Sequence, residues 1–584
     1  MKRLGASMKR ARACWSPLSF GGRAWRPVAG ARLAATLLAL PLLAGATHRS
    51  AEPAHSEASS LDAVLRGHVE TLSSPAFGGR RPGTEGETQT LHYLVRQWFG
   101  MGLESGTNLP GSPWFAPVDL IARAPVLSRA SFMRGRHHLV SEEGEVFVYT
   151  SGLRNLVEGA PVLFVGHGTI PARTELAGRV ALVLDTPASP AAGVAGGTAA
   201  GRSGRLGWFW RRKSAGDAAE AVPPSHAQVV GRLLDAGAMA VITVLDGERT
   251  LADVVARRRK AGYSLAGERV DNEIEAFVTP ELADRLLGGS AAAPGAALAA
   301  WTHEAEQDDF VPRVTGASVT LEATSTQTRV RTHNLIGRIP GRHPEAGAVV
   351  LMAHWDHFGV CDGQGRICPG AVDNASGLAV ITEVARQIVG SGPQHQLDRD
   401  VYVVATTGEE LGLLGAQAFA ENPPLPLERI VAAFNVDSTG LVPPGGPVAI
   451  VGRGMTGIDG EAARVLAGMR RRLVPEEDEG GAETGPNAYV RRQDSWALIQ
   501  HDVPAMMVSN SYADPVRLGA FMAGAYHTPA DTPDKVDYAG LADDVRINTE
   551  LVRDFADLRR YPGHAGRDGA GGDGDKRHDQ PQNP

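Results

Sequence analysis

The sequence predicts an α/β protein built on a mostly parallel central sheet with helices on both faces. From about residue 328 onwards, short apolar runs with the composition of buried strands alternate with longer stretches of helical periodicity. Such alternation is typical of units in which a helix connects two parallel strands. The 70 glycines and 38 prolines among 584 residues favour many turns and loops over long helical bundles. A chain of this length is expected to form two or three domains.

The first 46 residues have the features of a secretory signal peptide. They carry eight basic residues and no acidic one, then an apolar run (33–46) that ends in Ala-Gly-Ala. This run of about 14 residues contains Pro41, whereas a membrane span needs roughly 20 apolar residues. We therefore expect cleavage after Ala46, and export to the periplasm or the medium, rather than an uncleaved membrane anchor.

Removal of the signal peptide would make the chain strongly acidic. It would leave 50 of the 58 lysines and arginines against 65 acidic residues, and would change the net charge from −7 to −15. A protein of this charge is a poor partner for nucleic acid or for an anionic membrane. We therefore expect no nucleic-acid partner and no stable membrane insertion.

Two cysteines, Cys361 and Cys368, bracket the short loop CDGQGRIC. In an oxidising compartment such a close pair favours a disulfide. The alternative is a metal site with cysteine ligands, but it would need further soft ligands nearby, and the sequence offers none.

Before residue 328, the chain contains several segments of different character. After a polar linker (47–60), the periodicity predicts helices over 61–72 and roughly 88–100. Between about 130 and 320 we expect short strands, a glycine- and alanine-rich stretch and a helix followed by a strand. The segment 561–584 has no apolar periodicity and is predicted to be a disordered tail.

Acidic residues and histidines follow the apolar runs where the predicted strands end. They are His354, Asp356 and His357, then Asp373, then Glu409 and Glu410, and then Asp437. Because ligand sites in open α/β sheets lie beyond the carboxyl ends of the strands, these termini can converge on one site. His527 lies in a proline-rich loop that would close over it.

Nitrogen and oxygen donors of this kind suit zinc or a similar divalent ion. A lone Asp or His at a strand end is usually a cap or a solvated loop residue. Unrelated caps do not explain the adjacent Glu409 and Glu410, because neighbouring carboxylates repel each other unless a cation or a shared proton separates their roles.

Five motifs occur in order, namely HWDH, GAVDNASG, TTGEELGLLGAQAF, NVDSTG and YHTPADTPD. With the stretch LSSPAFGGRRPGTEGE they resemble the M28 family of zinc aminopeptidases over about 61–130 and 325–560. The resemblance implies the zinc-exopeptidase, or phosphorylase/hydrolase-like, α/β fold for these segments. The segment between them, 131–324, is similar to a protease-associated (PA) domain, a β-rich α/β insert, through LAGRVALVLD and LLDAGAMAVITV.

The resemblance also implies the site residues. The implied ligands of two zinc ions are His354, Asp373, Glu410, Asp437 and His527. Asp373 would bridge the ions, His354 and Asp437 would complete one, and Glu410 and His527 the other.

Two further roles follow from the resemblance. Glu409 is implied as the general acid/base and Asp356 as the carboxylate that orients His354. His357 is a further ligand by residue type, but its adjacent spacing and the family pattern favour a place in the pocket wall. Where many members have Ser-Asp-His before the last strand, this chain has Gln493-Asp494-Ser495, so its local pocket is expected to differ.

The resemblance implies a peptidase that removes residues from the N-terminus of peptides with a free amine. A carboxypeptidase or a glutaminyl cyclase on the same scaffold is the alternative. The inserted domain argues against the cyclase, and a carboxypeptidase would need a basic pocket for the substrate carboxylate. A receptor built on an inactive scaffold would normally have lost ligands or the base, whereas every implied position here keeps its residue type.

Overall fold

The computed structural model describes residues 55–185, 226–246, 249–260, 262–267, 273–307, 309–475 and 485–563. The predicted signal peptide, the glycine- and alanine-rich stretch, most of the linker and most of the tail lie outside these residues. None of the helices within the described ranges has the length and apolar character needed to span a membrane.

Helices occur throughout the described ranges, and they are α1 (His55–Leu72), α2 (Glu85–Met101), α3 (Arg173–Leu176), α4 (His226–Asp235), α5 (Leu251–Lys260), α6 (Pro280–Leu286), α7 (Ala296–Ala305), α8 (Gly377–Gly390), α9 (Leu414–Glu421), α10 (Asp459–Gly468), α11 (Ser495–Ile499), α12 (Pro515–Gly524) and α13 (Tyr538–Ala556). The strands are β1 (Glu104–Ser105), β2 (Phe115–Arg134), β3 (His137–Leu139), β4 (Val146–Thr150), β5 (Arg154–Phe164), β6 (Val180–Leu184), β7 (Ala240–Val244), β8 (Tyr263–Leu265), β9 (Ile274–Val278), β10 (Arg313–Ile339), β11 (Ala348–His354), β12 (Asp400–Thr406), β13 (Ile430–Asn435), β14 (Ala449–Val451) and β15 (Ala505–Ser509).

These strands join in one sheet whose main path runs β14-β15-β13-β11-β12-β10-β5-β6-β7-β9-β4. The pairs β15-β13, β13-β11 and β11-β12 are parallel, as are β5-β6, β6-β7 and β7-β9. The long strand β10 pairs antiparallel with β12 and with β5 and so connects the two parallel groups. The protein is therefore of the predicted α/β class with a mostly parallel sheet.

The first parallel group is covered on both faces, as the apolar runs predict. Along β11, Val349 and Leu351 pack against α1, α8 and α13, whereas Val350 and Met352 pack against α9 and α11. Successive side chains of a strand point to opposite faces, so a strand buried on both faces must be apolar at every position.

The second parallel group has its own apolar clusters. Its strands β5, β6 and β7 pack against α4 on one face and against β10 and α6 on the other. The predicted boundaries of the insert, at 130/131 and 324/325, fall inside β2 and β10, which pair antiparallel with each other over almost the full length of β2. The assignment of 131–324 to an inserted domain remains a prediction.

The observed helices begin earlier than predicted near the N-terminus. Helix α1 starts at His55, inside the range predicted as a linker, and α2 starts at Glu85 rather than near 88. The acidic residues Glu85 and Glu87 lie in the first turn of α2, where they interact favourably with the positive end of the helix dipole. The preceding loop closes with Gly83 at a φ of 76°, a left-handed conformation that favours glycine.

Candidate metal centre and active site

The carboxyl ends of β11, β12 and β13 form the floor of the candidate site. His354 is the last residue of β11, Glu409 and Glu410 follow the end of β12, and Asp437 follows the end of β13. The three strands are neighbours and parallel, so these side chains meet at one edge of the sheet. The sequence-based expectation that the strand termini converge is confirmed.

Asp373 and His527 reach the same edge from other elements. Asp373 lies in a kinked segment (Ala371–Ser376) that leads into α8; its own backbone angles are not helical, and it is 2% exposed. His527 follows α12 with a φ of 57°, which is uncommon for a residue other than glycine. Its ring stacks on Tyr526 and packs edge-on against Phe358. About a third of the His527 side chain is exposed, so the site opens to solvent at this residue.

Asp373 lies between two histidines. Its Oδ1 is 3.2 Å from Nε2 of His354, and its Oδ2 is 3.2 Å from Nε2 of His527. On the first side, Nε2 of His354 is also 3.2 Å from Oδ1 of Asp437. On the second side, Nε2 of His527 is 3.0 Å from Oε2 of Glu410. The five residues therefore form two groups of donors that share one carboxylate.

His357 also belongs to the second group, and the sequence did not predict this place for it. Its Nδ1 lies 2.5 Å from Oε1 of Glu410, and His357, Asp373 and Glu410 each offer a donor atom within 4.8 Å of the others. The expectation that His357 only lines the pocket wall is therefore incomplete, because the side chain is buried and holds the second oxygen of a predicted ligand.

The donor set and its spacing fit a divalent metal such as zinc. Tetrahedral ligands at 2.0–2.1 Å from an ion lie about 3.3 Å from one another, close to the separations around His354 and His527. Nε2 of His527 has no hydrogen-bond partner among the described residues although two carboxylates are nearby. A nitrogen and oxygens placed in this way, without a hydrogen bond between them, fit a shared cation.

Electrostatics favour a cation here as well. Burial raises the pKa of Asp356 to about 8 and that of Asp494 to about 6. The pKa of Glu409 is raised well above its usual value by burial and by the neighbouring carboxylates, although His354 opposes the shift. For His354 itself, burial lowers the pKa, but the surrounding carboxylates outweigh this and raise it well above the usual range. Buried carboxylates in such excess need a compensating positive charge.

Glu409 points toward the first group without joining it. Its Oε2 lies 3.9 Å from Nε2 of His354, farther than the carboxylates of Asp373 and Asp437. The backbone amide of Glu409 donates to Oδ1 of Asp356 at 3.1 Å. Glu409 is therefore a largely buried carboxylate, 10% exposed, beside the donor cluster, and its main chain is held by the buried carboxylate of Asp356.

Asp356 contacts His354 differently from the expectation. Nδ1 of His354 donates to the backbone carbonyl of Asp356 at 3.1 Å, whereas the Asp356 carboxylate is 3.9 Å away. The carbonyl fixes the ring tautomer so that Nε2 faces the cluster. The carboxylate holds the Glu409 amide instead, and the predicted role of Asp356 in orienting His354 remains a prediction.

Arg80, for which the sequence predicted no role, binds the backbone of two segments that carry site residues. Its guanidinium is fully buried and donates to the carbonyls of Trp355, Pro369 and Gly370 at 2.7–3.0 Å, and also to Leu72. It therefore joins the segment after β11 to the loop before Asp373. Burial lowers its pKa to about 10, a value at which it remains charged at neutral pH.

Asp531 is the second supporting residue to which the sequence assigned no role. It is buried, and its two oxygens accept hydrogen bonds from the backbone amides of Val372 at 2.8 Å and Asp373 at 3.0 Å. Arg80 lies in the GGRRPG stretch and Asp531 in YHTPADTPD, but these stretches do not identify the backbone groups that the two side chains bind.

Residues 334–552 match the family model described as Peptidase family M28. The matched range contains all the predicted ligands and Glu409. The chain therefore carries an M28 peptidase domain.

Curated relatives of this M28 domain are aminopeptidases. Leucine aminopeptidase 1 of Trichophyton rubrum is 34% identical over 112 residues, 19% of this chain and 30% of the relative. Aminopeptidase YwaD of Bacillus subtilis is 32% identical over 126 residues, 21% of this chain and 25% of the relative. The matched segments thus span less than a third of these relatives.

Solved structures similar to the chain include an aminopeptidase from Aneurinibacillus sp. strain AM-1, at 18% identity and a TM-score of 0.49, over 85% of this chain and 93% of that one. Another is BSAP, a zinc aminopeptidase from Bacillus subtilis, at 16% identity and a TM-score of 0.42, over 86% and 96%.

The structure places the segment Gln493-Asp494-Ser495 of the M28 domain next to the ends of β12 and β13. Asp494 accepts a hydrogen bond from the hydroxyl of Thr406, and Gln493 accepts one from the amide of Asn435 at 2.7 Å. All three residues of the segment are buried. The segment therefore supports the strand ends that carry the site.

Cys361 and Cys368 of the M28 domain form a disulfide, with Cα atoms 5.7 Å apart. Within the loop that it closes, Asp362 accepts hydrogen bonds from two backbone amides and pairs with Arg366. The loop begins just after His357 and forms one side of a cleft that also reaches His527. The disulfide therefore constrains the rim of the site.

Proposed function

We propose that the protein is an exported aminopeptidase that uses two zinc ions to remove N-terminal residues from peptides. The observation that carries the proposal is the pair of donor groups that share Asp373, with Glu409 beside them. Two zinc ions, when bound, would lower the pKa of a shared water and polarise the scissile carbonyl.

The side chains divide this work among themselves. His354 and Asp437 would hold one ion, Glu410 and His527 the other, and Asp373 would contact both. His357 would keep Oε1 of Glu410 in a hydrogen bond, which leaves Oε2 free on the side of His527.

Glu409 would move the protons. Its side chain is only 10% exposed and lies close to the donor cluster, yet farther from His354 than the carboxylates of Asp373 and Asp437 are. As a carboxylate it would accept the proton of the attacking water, and as an acid it would deliver that proton to the leaving amine. Asp356 would hold the Glu409 main chain in place for both steps.

Export is supported by the order of basic, apolar and small residues at the N-terminus and by the Cys361–Cys368 disulfide, since disulfides persist in oxidising compartments. N-terminal sequencing of the secreted protein should begin at Thr47. A product that keeps residue 1 in the membrane fraction would contradict export with cleavage.

A substrate panel tests the reaction. The zinc-loaded mature protein is offered leucine p-nitroanilide, its N-acetylated counterpart, N-blocked peptides with a free C-terminus, and peptides with N-terminal glutamine. We expect cleavage of the free amine substrate alone, loss of activity with a chelator and recovery with zinc. Metal analysis should give two zinc ions per chain.

Each other result assigns a different function. Release of C-terminal residues from blocked peptides would indicate a carboxypeptidase, and release of ammonia from N-terminal glutamine would indicate a cyclase. A zinc-free protein that zinc does not activate on any substrate would be a binding protein on a peptidase scaffold.

A further inference from the structure

A cleft of about 630 Å³ opens beside the second donor group. Its lining includes His357 and His527 together with Arg81 and Arg123. This volume lies in the range of pockets that hold small ligands, so the cleft has room for a short peptide segment. We call it the arginine cleft.

The two arginines are held by neutral groups. Nη2 of Arg81 donates to the hydroxyl of Tyr263 at 3.0 Å, and Nη1 of Arg123 donates to Oγ of Ser264 at 2.7 Å. Both partners belong to β8, so this short strand fixes both guanidinium groups at the cleft wall. Nε of Arg123 is buried and has no hydrogen-bond partner among the described residues.

The positive charge of the arginines is not neutralised by the cleft itself. Among the described residues, no carboxylate forms an ion pair with Arg81 or Arg123. The acid that lines the cleft, Asp362, is paired with Arg366 and bonded to backbone amides. The wall therefore presents two guanidinium charges whose remaining donors can bind an anion in bidentate geometry.

We propose that the arginine cleft binds a carboxylate of the substrate through Arg81 and Arg123. This inference rests on the proposed function, because an aminopeptidase substrate carries a positive amine at one end and a carboxylate at the other. The cationic wall would repel the amine and attract the carboxylate. The carboxylate is either the C-terminal group of a short peptide or an acidic side chain that follows the scissile bond.

The structure around the cleft also suits the backbone of such a peptide. Phe358, Val360 and Leu411 add apolar surface to the lining of the cleft. A peptide with its scissile bond at the donor cluster could contact this apolar surface while its carboxylate binds the arginines. In a peptide longer than the cleft, the C-terminal carboxylate would lie beyond Arg81 and Arg123.

The test compares matched substrates of the zinc-loaded enzyme. Leu-Ala-Ala is compared with its C-terminal amide, and Leu-Ala-Glu amide with Leu-Ala-Gln amide, so that the two sources of the carboxylate are separated. For at least one pair we expect kcat/KM to be about tenfold higher for the charged member, the scale of a hydrogen bond to a charged group, with the difference mainly in KM.

Variants assign the effect to the cleft. Arg123→Gln and the exposed Arg81→Gln should each bring the charged-to-neutral ratio close to one, and Arg123→Lys should keep part of it. The control is Arg129→Gln, on the same strand as Arg123 but paired with Glu322, which should keep the wild-type ratio.

The outcomes separate the two proposals. Hydrolysis of leucine p-nitroanilide with equal rates for the charged and neutral members of both pairs overturns the carboxylate site alone. So does a ratio that survives in both glutamine variants. No hydrolysis of any free-amine substrate overturns the proposed function, and the carboxylate site with it.

Discussion

The carboxylate of Asp531 accepts a hydrogen bond from the backbone amide of Asp373 at 3.0 Å. Its other oxygen accepts one from the neighbouring amide of Val372 at 2.8 Å. Asp373 lies between His354 and His527, so these two bonds determine where the shared carboxylate of the cluster lies. The position of Asp373, the proposed metal bridge, thus depends on the buried carboxylate of Asp531, which binds the backbone of Asp373 and not its side chain.

We predict that Asp531→Asn weakens zinc binding about 10–100-fold, the usual effect of losing a group that orients a ligand. Asparagine has one carbonyl oxygen, so one of the two backbone amides would face an NH₂ group and lose its bond. Competition titration with a chromogenic zinc chelator measures the affinity, and circular dichroism checks the fold.

The matched control for this change is Asp534→Asn, because Asp534 lies in the same segment but is exposed and contacts Lys535. Its zinc affinity should equal that of the wild type. Wild-type affinity in folded Asp531→Asn would show that the backbone bonds do not position the bridge.

His357 gives a second prediction about metal binding. The change His357→Ala removes the hydrogen bond to Oε1 of Glu410 and leaves His354 and Asp437 untouched. We therefore expect one of two zinc equivalents to bind about 10–100-fold more weakly and the other to bind normally. Titration of the metal-free protein with zinc, followed by calorimetry, should resolve the two steps. The control is the exposed His395→Ala, and two normal steps in His357→Ala would refute the role.

The elements that carry the site could be predicted because their signals are local. Strands β11, β12 and β13 are continuous apolar runs, and their buried positions on both faces require that pattern. His354 and Asp437 were found because each follows such a run directly. The full lengths of β2 and β10 were not predicted. Every second residue of β10 is buried from Thr315 to Ser325, but most of these residues are small or polar, so the alternation is weak in the sequence.

The supports of the site could not be predicted for a related reason. Arg80 and Asp531 bind backbone carbonyls and amides, which every residue has, so nothing in the partner sequence identifies the contact. His357 was assigned to the pocket wall because its spacing from His354 says nothing about the side chain of Glu410. That contact exists only because β11 and β12 lie side by side.

A buried carboxylate away from the donor cluster predicts how stability depends on pH. Asp544 on α13 accepts a hydrogen bond from Thr439, its Oδ1 has no partner among the described residues, and burial raises its pKa to about 7. The unfolded chain would ionise this group near 3.8. Its contribution to stability is therefore complete below about pH 4 and is lost as the pH rises through 7.

We accordingly expect the free energy of unfolding of Asp544→Asn, relative to that of wild type, to rise by about 2–3 kcal/mol between pH 5 and pH 9. Each pKa unit corresponds to about 1.4 kcal/mol. Urea denaturation at the two pH values measures this difference. Asp502→Asn, at an exposed turn, should show no such dependence. An equal effect of Asp544→Asn at both pH values would contradict the raised pKa.

The proposed role of Glu409 as the acid/base beside two metal ions is tested most directly by Glu409→Gln. Hydrolysis of leucine p-nitroanilide and zinc content are measured in parallel for wild type, Glu409→Gln and the exposed Glu421→Gln at the end of α9. We predict that kcat of Glu409→Gln falls about 10²–10⁴-fold while two zinc ions remain bound, and that Glu421→Gln behaves as wild type. A Glu409→Gln enzyme that holds its zinc and cleaves the anilide at the wild-type rate would contradict the account.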